Sequence, residues 1–333
     1  MMNSQISLGF QEVEELNLAN KNQTIKNAKS NSKLNFSIEE IAEILEGDPN
    51  YRVTKRLTPI RQYPEIQGAK AKVLIIDTET TGLTHKKDKI IELAMILVEV
   101  NLSLGKPTGK VKIYNGLEDP GIPLTEEIKA ITGINDLMLR DQKIDNEKVQ
   151  ILLKDVDLII AHNASFDRPF CENRLADFGK YKWGCSWADI DWKKEGHTSA
   201  KLEYLGQDMG FFYDAHRAEM DCHALLEVLC RPLANGMTGL SNLLSQREIS
   251  LLRIQANGAP FEAKDLLKAR GYRWQPENRV WQIDLVDESS LQIEKVWLKK
   301  SVYRGRSAQI QLETLDSTFK YSQRPGQITL LQL

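Results

Sequence analysis

Asp77-Thr78-Glu79 places two carboxylates two residues apart at the end of the apolar run Val73-Leu74-Ile75-Ile76. Such a run, rich in β-branched side chains, predicts a buried strand, and residues i and i+2 of a strand project from one face. Asp77 and Glu79 would then stand side by side, repelling each other and losing hydration. A divalent cation is the usual compensation, because hard oxygen ligands suit Mg²⁺ or Mn²⁺. Taken alone, the pair also reads as the solvated end of a strand that enters the turn Thr80-Thr81-Gly82.

Two further segments carry residues of the same chemistry. In His162-Asn163-Ala164-Ser165-Phe166-Asp167 a second apolar strand ends in a small polar turn, and Asp167 falls in the first turn of the helix that follows. It would share an edge with Asp77 if the two strands are parallel neighbours; a charge that complements the helix dipole is the alternative. His162 reads as a local hydrogen-bonding group. In His216-Arg217-Ala218-Glu219-Met220-Asp221, helical spacing with Leu225 and Val228 aims Asp221 inward, while His216 lies at the helix start. Four carboxylates and one loop histidine at segment ends match two-metal phosphodiester hydrolysis. Asp77, Glu79, Asp167 and Asp221 would be the metal ligands, with Asp77 shared between two Mg²⁺ or Mn²⁺ ions and His216 as general base.

The elements that must position these residues form an α/β pattern. Strands are predicted at Val73–Ile76, Ile90–Val100, Val111–Tyr114, Leu158–Ala161 and Trp183–Trp187, the first three as a meander. Helices are predicted at 125–131, 134–139, 147–153, 165–175, 200–209 and 216–229. This order implies a mixed sheet flanked by helices. Upstream, residues 1–35 are rich in Asn, Gln, Ser and Lys and read as mobile. A helical extension and connector covers 36–70, opened by a Ser37/Glu40 capping box. The main α/β domain spans 71–234, and a small α+β module spans 248–333, with a helix stopped by Gly271.

Composition sets the outer limits. The 333 residues, 41% hydrophobic and 27% charged, have room for two domains of a soluble protein. There is no apolar run of membrane-spanning length, no signal-peptide pattern and no paired cysteine motif, so a cytoplasmic setting is expected. The net charge of −2 is uneven: residues 73–235 carry 20 basic and 27 acidic side chains, net −7, and residues 236–333 carry 14 and 10, net +4. An acidic middle suits a nucleic-acid enzyme if its acids hold metal and the basic end meets phosphate.

Asp77-x-Glu79-Thr80-Thr81-Gly82, His162-Asn163-x-x-Phe166-Asp167 and His216-x4-Asp221, in this order, resemble the DEDDh exonucleases. That family includes the proofreading subunit of bacterial replicative DNA polymerase and ribonuclease T. The resemblance covers about residues 70–232, and all five catalytic positions match. Ile131-Thr132-Gly133-Ile134 also looks like the family's loop after the third strand. The resemblance implies a ribonuclease-H-like fold with a mixed five-stranded sheet. It further implies that Thr80 and Leu83 contact the terminal nucleotide, with Asn163 and Phe166 lining its pocket.

The expectation is therefore a metal-dependent 3′–5′ exonuclease acting on single-stranded ends, DNA preferred, in replication or repair. Its partner would be a nucleic acid with a free 3′ end, with no membrane and with a polymerase or repair partner and the oligomeric state left open. RNA 3′-end trimming is the alternative, and a non-catalytic nucleic-acid or polymerase-accessory module a more distant one. Between Lys264 and Trp281, basic residues interleave with Tyr272, Trp274 and Trp281. They read either as a stacking track for single strands or as a small aromatic core under a solvated basic face. The module resembles those of stand-alone bacterial exonucleases more than the short tail of a proofreading subunit.

Overall fold

The computed structural model describes residues 36–276 and 278–333, so the mobile segment expected over 1–35 lies outside the described residues. The chain forms two compact units, one ending at Val53 and the other running from Thr54 to Leu333. In the first, α1 (Ile38–Glu46) is opened by the expected capping box. The Ser37 hydroxyl accepts from the Glu40 amide at 3.1 Å, and the Glu40 carboxylate accepts from the Ser37 amide at 2.7 Å.

The second unit begins with two short strands, β1 (Lys55–Arg56) and β2 (Gln62–Tyr63), followed by the meander β3 (Lys70–Thr80), β4 (Ile90–Asn101) and β5 (Lys106–Leu117). Three short helices come next: α2 (Glu126–Thr132), α3 (Asp136–Leu139) and α4 (Asn146–Leu153). Gly133, left-handed at φ 68°, closes α2 and turns the chain so that Ile134 enters the core with Ile91, Leu124 and Leu139. Then follow β6 (Leu158–Ala161), α5 (Ala164–Arg174), β7 (Trp183–Cys185), α6 (Leu202–Asp208), β8 (Phe211–Phe212) and α7 (Ala218–Cys230).

Six of these strands form a mixed sheet in the order β2-β5-β4-β3-β6-β7, with β3, β6 and β7 parallel and β3, β4 and β5 antiparallel, while β1 pairs with β8 apart from it. This is the mixed sheet flanked by helices that the order of elements in the sequence predicts. The sheet has one strand more than expected, because Gln62–Tyr63 pairs with Gly109–Lys110 at the edge. Two residues among connector sequence give no periodicity to read. β3 is buried on both faces, so its odd and even positions serve different cores. Val73 and Ile75 pack under α7, whereas Leu74 and Ile76 pack against α4 and α5.

After α8 (Gly239–Ser245) the chain builds a second sheet from β9 (Leu251–Ala256), α9 (Lys264–Ala269), β10 (Arg273–Gln275), β11 (Val280–Leu285), α10 (Glu288–Trp297), β12 (Gln309–Leu315) and β13 (Gln327–Gln332). Its five strands are ordered β10-β11-β9-β12-β13, with every pairing antiparallel. One face carries a core of Ile254, Ala256, Leu267, Leu291, Leu298 and Ile310. Of the interleaved aromatics, Tyr272 is buried in this core and Trp281 packs against it, while Trp274 stays 45% exposed. The aromatic-core reading holds for Tyr272 and Trp281, and Trp274 lies on an edge strand.

Residues 316–324, between β12 and β13, lie along the main α/β domain. The Trp183 amide of edge strand β7 donates to the Ser317 carbonyl at 3.2 Å, which blunts that edge. Arg168, fully buried, donates to the carbonyls of Lys320 at 2.6 Å and Thr318 at 2.5 Å and pairs with Glu172 at 2.7 Å. Removing this buried guanidinium strands the Lys320 carbonyl and leaves the Thr318 carbonyl and Glu172 to Arg324 and Ser322 alone. Arg168→Met is expected to cost roughly 3 kcal/mol, read as a lower Tm, and to make 316–324 a preferred site in limited proteolysis. An unchanged Tm and cleavage pattern would refute the latch. Among the described residues no helix is long and apolar enough to cross a membrane.

Candidate active site

Asp77 and Glu79 occupy the end of β3 on the face that α7 covers, and Asp221 comes from the first turn of α7. One carboxylate oxygen from each of the three lies within 4.8 Å of the others. Asp167, in the first turn of α5, reaches the strand from its opposite side. Its Oδ1 accepts from the Thr78 amide at 3.1 Å and from the Thr78 hydroxyl at 2.8 Å. Because Thr78 lies between Asp77 and Glu79, its side chain faces the other way and meets the α5 residue. The structure thus gathers three of the expected carboxylates and holds Asp167, 3% exposed, at their margin.

The electrostatics follow from placing these acids where apolar strands end. Burial lifts Asp77 well above the usual carboxylate range, with Asp167, Asp221 and Glu79 adding repulsion. Glu79 rises to about 8, mainly by burial and then by Asp221 and Glu92. Asp167 rises to about 7 by burial, against the opposing Thr78 hydrogen bonds, and Asp221 to about 6 by burial. Buried carboxyls that resist ionisation and converge on one point are a donor set that a hard divalent cation satisfies. The residues present therefore fit a divalent metal ion.

His216 stands one residue before Arg217, exposed, in the left-handed region at φ 65°. A non-glycine residue there costs ~1 kcal/mol, and its neighbours hold it in place. The Arg217 amide donates to Asp221 Oδ2 at 3.1 Å, and the Arg217 guanidinium pairs with Glu92 at 3.0 and 3.2 Å. The predicted helix over 216–229 starts two residues later for this reason, at Ala218.

Glu92 and Tyr213 are site residues that sequence reasoning missed. Glu92, fully buried on β4 opposite Glu79, also accepts from the Ala218 amide at 3.2 Å and from Asn115 at 3.0 Å. A lone Glu inside the apolar stretch Ile90–Val98 was the available signal. Tyr213 donates its hydroxyl to Asp221 Oδ1 at 3.0 Å and fixes that carboxylate's rotamer. No motif announces it.

The expected nucleotide-contacting residues follow Glu79 or precede Asp167 along the chain. Thr80 is buried, with its hydroxyl donating to the Gly82 carbonyl at 2.6 Å, whereas Leu83 is 86% exposed. Asn163 is exposed at the start of α5, and Phe166 packs on Phe170 at 5.0 Å between ring centres. His162 is structural: its ring joins Ser186 Oγ at 2.7 Å and the Ala200 carbonyl at 2.8 Å, and burial pushes it down to about 4. His85 lies against Phe170, and His197 pairs with Asp208 at 3.0 Å.

Residues 74–229 match the profile of the exonuclease family RNase_T. The stretch that carries the site therefore matches an exonuclease family, and that family implies divalent-metal use. Curated relatives include the PolC-type DNA polymerase III of Caldanaerobacter subterraneus subsp. tengcongensis, 22% identical over 206 residues, which are 58% of this chain and 14% of the relative. The PolC-type polymerase of Staphylococcus saprophyticus is 33% identical over 159 residues, 46% of this chain and 10% of the relative. The matching segment thus spans about a seventh or less of these relatives. Among solved structures, exonuclease X in complex with 5′ overhanging duplex DNA is 24% identical and covers 51% of this chain and 99% of its own, with a TM-score of 0.37. A 3′-exonuclease in a structure of 3′-end specific recognition of histone mRNA stem-loop is 16% identical and covers 52% and 85%, with a TM-score of 0.38.

The raised carboxyls make a pH prediction for the metal-free protein. Their folded values of about 6 to 8 exceed unfolded values near 4. Folding therefore takes up protons, and this contribution to stability is lost as pH rises through that window. In chelator, the Tm is expected to be lower at pH 8 than at pH 5.5, and saturating Mg²⁺ or Mn²⁺ at pH 8 to restore roughly 5 °C. A chelated protein whose Tm rises over that interval would contradict the assignment.

Proposed function

We propose that the chain is a metal-dependent 3′–5′ exonuclease that releases nucleoside 5′-monophosphates from single-stranded ends, DNA preferred. The observation that carries this reading is the convergence of Asp77, Glu79 and Asp221 within 4.8 Å inside an exonuclease domain. Asp77, Glu79, Asp167 and Asp221 would hold two Mg²⁺ or Mn²⁺ ions. When bound, the ions supply Lewis-acid stabilisation of the attacking and leaving oxygens.

The chain's own residues do the rest. Thr78 fixes Asp167 and Tyr213 fixes Asp221, so neither carboxylate needs to reorganise. His216, exposed at the rim, takes the proton from the attacking water as general base. Arg217, anchored on Glu92, keeps the His216 backbone in its left-handed turn. Leu83 and Phe166 offer apolar surface to the terminal base, with Asn163 at the rim and Thr80 shaping the turn between them. The four free cysteines support a reducing, cytoplasmic setting.

Asp77→Asn is expected to abolish hydrolysis while leaving the Tm of the chelated protein equal or higher, since one member of a crowded carboxyl cluster is removed. Near-wild-type turnover in Mg²⁺ would sink the assignment. For His216→Ala a fall in kcat of about 10² to 10⁴-fold is expected, with oligonucleotide affinity nearly unchanged. The deciding panel sets single-stranded, duplex and mismatched DNA beside matched RNA, each with Mg²⁺, Mn²⁺ or chelator. Release of mononucleotides from RNA faster than from DNA would replace the DNA reading with 3′-end trimming of RNA.

A further inference from the structure

The second sheet turns its core-free face onto a polar cleft of about 1130 Å³, larger than the roughly 300–1,000 Å³ of a single small-molecule site. Strand register orders that face into two rows. One runs Arg273, Gln282, Gln255, Gln311 across β10, β11, β9 and β12, with neighbours about 4.8 Å apart. The other, one pleat along, runs Asp284, Arg253, Glu313, and its charges are spent internally: Arg253 pairs with Asp284 at 2.7 Å and with Glu313 at 3.6 Å.

The amide row is not spent. Gln255, Gln282 and Gln311 are half-buried, and among the described residues none of the three side chains has a hydrogen-bond partner. Each amide offers both a donor and an acceptor. Arg273, at the edge strand, is the cation of this face that has no ion pair among the described residues.

The opposite wall of the cleft includes Ser165, Ala188 and Asp189. Ser165 follows β6, and Ala188 and Asp189 follow β7. Both strands run parallel in the sheet with β3, whose same end carries Asp77 and Glu79. The cleft therefore opens at the sheet edge on which the carboxylates stand. The latch on Lys320 and Tyr321, which both bond to Asp189, holds the two walls together.

We propose that this amide row is the track for the unpaired 5′-ward stretch of a single-stranded nucleic acid whose 3′ end sits at Asp77 and Glu79, an inference that rests on the exonuclease reading. Amides of this kind match the donor and acceptor edges of unpaired bases. A duplex presents phosphates outward and calls for many cations, whereas this face keeps one. The bases face the sheet, and Arg273 meets one phosphate. No aromatic ring stands in the row, so the track reads hydrogen-bonding edges and favours some bases over others, unlike a stacking platform.

The test uses the full chain and fluorescein-labelled single strands of twelve and two nucleotides, with chelator present so that nothing is hydrolysed. Wild type is expected to bind the twelve-mer more tightly than the dinucleotide. The combined Gln255→Ala, Gln282→Ala and Gln311→Ala variant, checked for an unchanged Tm, is expected to lose about tenfold of that preference. Arg273→Ala is expected to lower the slope of log affinity against log salt by about one. An equal preference in wild type and the triple variant, or no preference in wild type, overturns the track. Because binding is read without catalysis, a wild type that hydrolyses nothing with Mg²⁺ or Mn²⁺ defeats the exonuclease reading separately.

Discussion

Crowding of acids at the end of a buried apolar run is the constraint on which the rest of this structure depends. Asp77 and Glu79 follow Val73–Ile76, all four of them buried, and Asp221 and Asp167 are brought to the strand end from two helices. Each carboxylate there loses hydration and gains like-charged neighbours, which is why burial leads the causes at all four. The surroundings then act as a holding frame. Thr78 gives two hydrogen bonds to Asp167, Tyr213 gives one to Asp221, and Arg217 lowers Glu79 while pairing with Glu92. An unliganded site of this kind stores electrostatic work that a cation releases on binding.

The alternation of β3 explains how four acids can converge without sharing one helix or loop. Odd positions face α7 and even positions face α4 and α5. Asp77 and Glu79 therefore meet Asp221 directly, while Asp167 reaches the same end through Thr78, the even residue between them. The frame sets Asp167 through Thr78 and Asp221 through Tyr213 and the Arg217 amide, and brings Asp77 and Glu79 against Asp221.

Much of this was legible before any coordinates, for local reasons. Continuous β-branched runs and helix caps are short-range signals, so β3, β4, β6 and α5 fell close to the residues expected, and the acids stood at their ends. What escaped depended on distant partners. The edge strand Gln62–Tyr63 exists because β5 presents a free edge. Glu92 looked like an interruption of an apolar strand, and its reason lies 125 residues away at Arg217. Of the second sheet's module the sequence marks one helix, stopped by Gly271, because β9, β12 and β13 alternate weakly and only their pairing makes them strands.

Arg168 is the residue next to Asp167, and its guanidinium is fully buried among carbonyls that belong to residues 318 and 320. A helix turn that supplies one acid to the site on one side thus fastens the C-terminal sheet on the other. Cutting the chain after residue 234 would remove both carbonyls and leave Arg168 with Glu172 as its partner on an uncovered surface. The C-terminal module is in this sense part of the catalytic domain's own interior. Any natural or engineered shuffling of it onto another exonuclease must carry both the arginine and its two carbonyls, or neither.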